Sequence, residues 1–151
     1  MNRIVFFSVV IAVLNGCASL EQQRTFTCTY DTVWDATLDA MKGFPVTNRD
    51  KAAGVIETGW VEMAAKERGF GAFQRDAFDN KERARMTVTV DRTRDGSASV
   101  TVSEQRQRWH LRGGVTQLAT KWTPVDPSEE AMNGVLNQVN NKLKDRGCSS
   151  T

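Results

Sequence analysis

An α+β domain, one antiparallel sheet with two helices on one side, is the fold this sequence predicts. Three observations predict it. Residues 85–91 (RMTVTVD) and Ala98, Val100 and Val102 alternate strictly, and the Asp95-Gly96 dipeptide between them is a strong hairpin signal. Near the C-terminus, Met132, Val135, Leu136, Val139 and Leu143 recur at helical spacing and form one apolar stripe. A shorter helical pattern, Val33, Trp34, Leu38 and Met41, precedes the strands. A sheet with one apolar face and two amphipathic helices buries all three by layering the helices on that face.

The chain opens with an export signal. Met1-Asn2-Arg3 gives a positive end, and Ile4 to Leu14 is nearly all apolar. That run is too short for a spanning helix, which takes about 20 apolar residues. It closes on Leu14-Asn15-Gly16-Cys17, which resembles the lipobox of bacterial lipoproteins. Leu14 and Gly16 fit that pattern, and Asn15 is larger and more polar than the residue usual there. The resemblance implies that residues 1–16 are a signal peptide cleaved before Cys17. The Cys17 thiol would then carry diacylglycerol and its amine a third, palmitate-type chain. Each buried methylene contributes about 0.8 kcal/mol, so such an anchor does not come off. Ala18 is not the aspartate that retains many such proteins in the inner membrane. This favours the periplasmic face of the outer membrane. Residues 17–23 read as a short polar linker.

The single domain then runs over residues 24–148. Arg24 to Thr29 is β-branched and aromatic and predicts a strand. Asp31 is placed to cap the first helix, which Gly43 and Pro45 end. Val46 to Asp50 and Val55 to Met63 predict a hairpin around Lys51 to Gly54. After the 85–102 hairpin comes the last helix, with Asp126 as expected cap and Pro127 at its first position. Glu129 and Glu130 oppose its positive end, Lys142, Lys144 and Arg146 load its last turn, and Gly147 stops it.

Charge and cysteines bound the setting. Without Arg3 the chain keeps 19 basic and 18 acidic residues, so it has no general electrostatic drive toward nucleic acid or anionic lipid. Cys28 and Cys148 are the only thiols left once Cys17 is acylated, and in an oxidising compartment such a pair is expected to bond.

Catalytic signals are sparse. His110 is the single histidine and has no second metal ligand at helical or hairpin spacing. No Gly-x-Ser-x-Gly elbow and no Ser-x-x-Lys pair occurs. Asp76, Asp79 and Glu82 sit in a polar stretch and read as solvated. The expectation is a protein that is not an enzyme and needs no cofactor or metal.

Two segments are candidate partner-binding surfaces. Glu67 to Phe78 holds Phe70, Phe73 and Phe78, which either meet a partner or turn inward to cap the core. The strand through Val102 continues to Trp109 and places Glu104, Arg106 and Arg108 where apolar residues are expected. Either the strand outruns its covering helix or a bulge switches the faces. In the first case Arg106 and Arg108 line an exposed sheet end near Trp109, a composition common at interfaces; the competing reading is an ordinary solvated edge.

Several short stretches together carry a family resemblance. Tyr30-Asp31-x-Val33-Trp34, Gly43-Phe44-Pro45-Val46, Asp50 and Gly54 to Trp60 resemble the opening of a BamC-like lipoprotein domain. Lys121-Trp122-Thr123-Pro124-x-Asp126-Pro127-x-Glu129 is similar to the lead into that family's final helix. The resemblance covers most of residues 24–146. It implies a helix-grip fold, an antiparallel sheet around a long C-terminal helix. It also implies an accessory role in outer-membrane protein assembly through contacts with envelope proteins. The best-known members carry a long N-terminal extension and two such domains, where this chain shows one. Helix-grip folds can also leave a cavity between helix and sheet, so the alternative is a binding module for lipid or another apolar ligand.

Overall fold

The structure is a computed structural model and describes residues 20–64, 81–110 and 121–150. Cys17 with Leu14, Asn15 and Gly16, and the segment with Phe70, Phe73, Asp76, Phe78 and Asp79, lie outside the described residues.

The architecture is α+β, as the three patterns require. Strand β1 (Glu21–Phe26) is followed by helix α1 (Tyr30–Ala40) and a 3-10 turn at Met41–Gly43. Strands β2 (Val46–Asp50), β3 (Val55–Thr58), β4 (Val61–Ala64), β5 (Lys81–Arg92), β6 (Ala98–His110) and β7 (Lys121–Val125) lead into helix α2 (Glu129–Lys144). All pairings are antiparallel, in the order β1-β6-β5-β3-β2. Strand β4 continues the β3 side of β5, and β7 pairs with β6 beyond the end of β1.

Strands β5 and β6 form the spine. Their register runs without a bulge from Glu82↔Arg108 to Arg92↔Ala98. Val88, Val90, Ala98, Val100 and Val102 face inward and are buried with Ile56 and Phe26. The α2 stripe (Met132, Val135, Leu136, Val139 and Leu143), Val33 and Trp34 of α1, and Met41 of the 3-10 turn close the same core cluster. The helix stripe therefore meets a packed interior, each of its residues at most 1% exposed.

Local chemistry moves several boundaries. Strand β1 begins at Glu21, inside the expected linker, because the Val100–Ser103 edge of β6 pairs it as far as that residue. Thr29, not Asp31, precedes α1; Asp31 sits one residue inside the first turn and pairs with Lys51 at 2.8 Å. Ser128, not Asp126, caps α2, its hydroxyl accepting the Ala131 N–H at 3.2 Å. Serine serves this role as well as aspartate does, and it stands one residue after a proline that favours extended backbone before it. The expected strand over 55–63 breaks at Gly59-Trp60 into β3 and β4. Strand β7 contains Pro124, which a sheet tolerates on an outer strand.

One glycine is required by close approach. Gly54 has φ +72°, its carbonyl accepts the Val90 N–H at 2.8 Å, and a Cβ there would lie 2.3 Å from the Val90 oxygen. The two ends of the domain are joined by a disulfide between Cys28 and Cys148, 5.7 Å apart at Cα and 120 residues apart in sequence.

Candidate functional site

The end of the sheet built from β4, the first half of β5, the second half of β6 and β7 carries unusual chemistry on both faces. Antiparallel partners share a face, so the register assigns each side chain. Glu82, Ala84, Met86 on β5 and Glu104, Arg106, Arg108 on β6 share the inner face. Arg83 and Arg85 share the outer face with Gln107, Gln105 and Trp109.

On the inner face α2 begins at Glu129, too late to cover the last rows of β6. The strand does outrun its helix, and no bulge intervenes. The rows beyond the apolar alternation are filled by ion pairs instead of apolar residues. Glu104 is buried; its two oxygens accept Arg106 at 2.8 and 3.2 Å, and the Ser128 N–H at the helix start donates to it as well. Arg106 also reaches Glu82 at 3.0 Å and the Met63 sulfur at 3.7 Å. Arg108 donates twice to Glu82, through Nε at 2.9 Å and through Nη2.

Glu82, expected to be solvated, is 5% exposed, because β5 starts earlier than its apolar alternation and carries it under the sheet end. Burial pushes its carboxyl up, but the hydrogen bonds and charges of Arg108 and Arg106 outweigh that and hold it below its ordinary value. The Arg106 guanidinium is raised by Glu104 first and by Glu82, against desolvation. Two carboxylates thus neutralise two guanidiniums, with the positive end of α2 adding to the hold on Glu104.

An open cleft of about 980 Å³ lies against this cluster. Glu82, Arg106 and Arg108 line it together with Met63, Val125 and Ala131. Arg108 keeps 30% of its side chain exposed there.

The outer face is different. The Arg83 guanidinium lies between Trp60 and Trp122, 4.5 and 4.4 Å from their ring centroids. Arg85 sits 5.1 Å from the Trp60 centroid, and Trp109 meets Trp122 edge to face at 5.3 Å. Gln107 and Gln105 fix the two arginines by accepting from their Nε atoms at 2.8 and 3.0 Å. The result is a ladder of aromatic and cationic groups from Trp60, just before β4, across β5, β6 and β7.

The expected arginine–tryptophan surface is therefore split by the sheet. Arg106 and Arg108 lie on the inner face, Trp109 on the outer one, and Trp109 joins Arg83 and Arg85 instead. Sequence reasoning missed Arg83, Trp60 and Trp122. The signal for Arg83 and Arg85 was the alternation itself, since the residues between Glu82, Ala84 and Met86 must face the other way. Trp60 and Trp122 needed the pairing of β4 and β7, which sequence did not supply. Among the described residues, no cluster of three or more His, Cys, Asp or Glu side chains could hold a metal ion. Among them, too, no helix is long and apolar enough to cross a membrane.

Fold and site together define a small α+β domain whose chemistry is concentrated at one sheet end. A family model described as a domain of unknown function, DUF3576, matches residues 29–142, and the chain belongs to that family. A crystal structure of a DUF4468 family protein from Bacteroides ovatus is similar over 83% of this chain and 80% of that one, at 9% identity and a TM-score of 0.37. No curated protein matches the chain.

Proposed function

We propose that this is a non-enzymatic, lipid-anchored accessory protein on the periplasmic face of the outer membrane, where it binds an envelope protein during outer-membrane assembly or maintenance. The observation that carries the reading is the cleft beside Glu82, Arg106 and Arg108. Its floor carries the Glu82, Arg106 and Arg108 ion pairs, which are internally neutralised, and its lining also includes Asp126 and Glu130 and the apolar Met63, Val125 and Ala131. Neutralised charge gives directional hydrogen bonding without strong attraction for free ions. Apolar walls supply burial. The half-exposed Arg108 fits a partner segment that presents an apolar side chain next to a carboxylate. The lipobox at Leu14 to Cys17 supports the anchor, and the resemblance to BamC-like domains supports the assembly setting.

The alternative, a carrier for an apolar ligand between helix and sheet, loses support from the packed α2 stripe. The test is site-specific photocrosslinking in intact cells. A reactive residue at Glu130, exposed in the cleft lining, is expected to capture one envelope protein. The same residue at Gln138, on the solvent side of α2, is expected to capture none. Capture that is equal at both positions overturns the reading. Membrane partition of the wild type but not of Cys17→Ser tests the anchor; equal partition removes it.

A further inference from the structure

We infer that the outer-face ladder of Trp60, Arg83, Arg85, Trp109 and Trp122 docks the domain onto anionic phospholipid headgroups of the membrane that holds its anchor. The inference rests on the proposed lipidation of Cys17, and three observations carry it.

The first is the length of the tether and where it ends. Strand β1 starts at Glu21, so only Ala18, Ser19 and Leu20 separate it from Cys17. Four residue steps reach about 14 Å at most. Glu21 is opposite Ser103 on β6, and four residues further along β6 lies Gln107, in the ladder, about 13 Å away at strand spacing. Glu21 and Ser103 are on the same outer face as Gln105, Gln107 and Trp109. Because β1 is antiparallel to β6, the chain at Glu21 points along β6 toward the ladder, and the remaining steps to Cys17 can reach no further than about that distance. Leu20, at its root, is 39% exposed.

The second is charge. Lys81, Arg83 and Arg85 alternate along β5 and so share the outer face, where Glu62 stands opposite Arg83, Glu57 opposite Thr87 and Glu21 opposite Ser103. The oxygen acceptors of Arg83 and Arg85 are the neutral amides of Gln107 and Gln105. Arg106 and Arg108, through the sheet, are each held by carboxylates. Among the described residues, then, the inner guanidiniums are paired with carboxylates while Arg83 and Arg85 bond to neutral amides, which leaves their charge for a phosphate surface.

The third is the aromatic content. Tryptophan has an apolar body with a polar N–H and is enriched where one end of a side chain is wet and the other apolar. All three ladder tryptophans are half-buried in the domain, with ring surface open on a face that no described helix covers. Docking this face turns the cleft on the opposite face toward the periplasm, where a protein partner reaches it.

The test uses the mature lipoprotein reconstituted into phosphatidylcholine vesicles with and without phosphatidylglycerol, some of the acyl chains brominated. The chain has four tryptophans, and Trp34, on the core side of α1, is only 3% exposed, an internal reference. With phosphatidylglycerol present, emission is expected to shift to the blue and be quenched by the brominated chains. Replacing Trp60, Trp109 and Trp122 by Phe removes the effect. Arg83→Gln with Arg85→Gln reduces it to the level seen in phosphatidylcholine alone. Flotation with the vesicles but no quenching in the wild type overturns the docking and leaves the anchor standing. Failure to float overturns the anchor, and the docking with it. A photocrosslinker at the exposed Gln105 that captures a protein instead of lipid also overturns the docking.

Discussion

Glu104 joins the end of the sheet to the start of the last helix: its carboxylate accepts the backbone N–H of Ser128, the residue that caps α2. The same carboxylate holds Arg106 by two bonds. One buried acid therefore satisfies an orphan helix donor and a guanidinium together. Glu104→Gln leaves Arg106 with Glu82 as its remaining carboxylate and is expected to cost about 3 kcal/mol, the low end for breaking a buried pair. Replacing Glu104 and Arg106 together by Leu should recover most of that loss, because no charge is then left unpaired at this point. Urea titration of the two variants decides it; equal losses would mean that the pair itself, not the unpaired charge, carries the stability.

Glu82 makes acid stability measurable. Its carboxyl is held below the ordinary value of 4.5 in the folded chain, by Arg108 and Arg106 against burial. A group depressed on folding contributes stability that is present in full above its unfolded value and lost as pH falls through the folded one. The urea midpoint of the wild type should therefore drop steeply below about pH 4.5, and less steeply in Glu82→Gln. Identical acid slopes for the two would show that Glu82 gains nothing from its partners on folding.

The sequence made the helix stripe and the β5–β6 hairpin legible because both are periodic, and period depends only on which side faces the core. Met132, Val135, Leu136, Val139 and Leu143, and Met86, Val88, Val90, Ala98, Val100 and Val102, are buried as their spacing demands. What the spacing could not show was where the covering helix stops. Glu82, Glu104 and Arg106 look solvated when read singly, and only the register that stacks Glu82 against Arg108 and brings Arg106 between two carboxylates explains their burial. The split of Arg106 from Trp109 followed from alternation in principle. The gathering of Trp60, Arg83 and Trp122 did not, since it depends on β4 and β7 flanking the spine, a tertiary fact. Cap identity failed locally: at 126–128 an aspartate, a proline and a serine are all plausible helix starters, and the backbone chose the serine.

The Cys28–Cys148 bond closes nearly the whole domain on itself. Beside it, the Thr27 N–H donates to the Ser149 carbonyl at 3.0 Å and the Ser149 N–H returns to the Thr27 hydroxyl at 3.1 Å. In the chain-entropy account a loop of this length contributes up to about 5 kcal/mol. With Cys17→Ser, protein from an oxidising compartment should show no titratable thiol in denaturant, and reductant should lower its melting temperature. Two free thiols before reduction would contradict the bond.

Leu136 tests the fold itself. It is 1% exposed in mid-stripe, grouped in the core with Met132, Val139, Val100 and Val102. Leu136→Ala removes buried methyl groups from a packed interior, and the surroundings relax only in part, so the expected cost is about 2–5 kcal/mol. The comparison variant must be exposed. Asn140 is unsuitable although it stands off the stripe, because it is only half-exposed and its Oδ1 is shielded from solvent. Gln138 is open to water and is the proper control; Gln138→Ala should change stability by less than about 0.5 kcal/mol. Guanidinium titrations of both variants, with slopes matching the wild type, give the two numbers directly. Near-equal midpoints would mean that α2 does not sit in the grip of the sheet, and the α+β packing described for β5, β6 and α2 would fall with it.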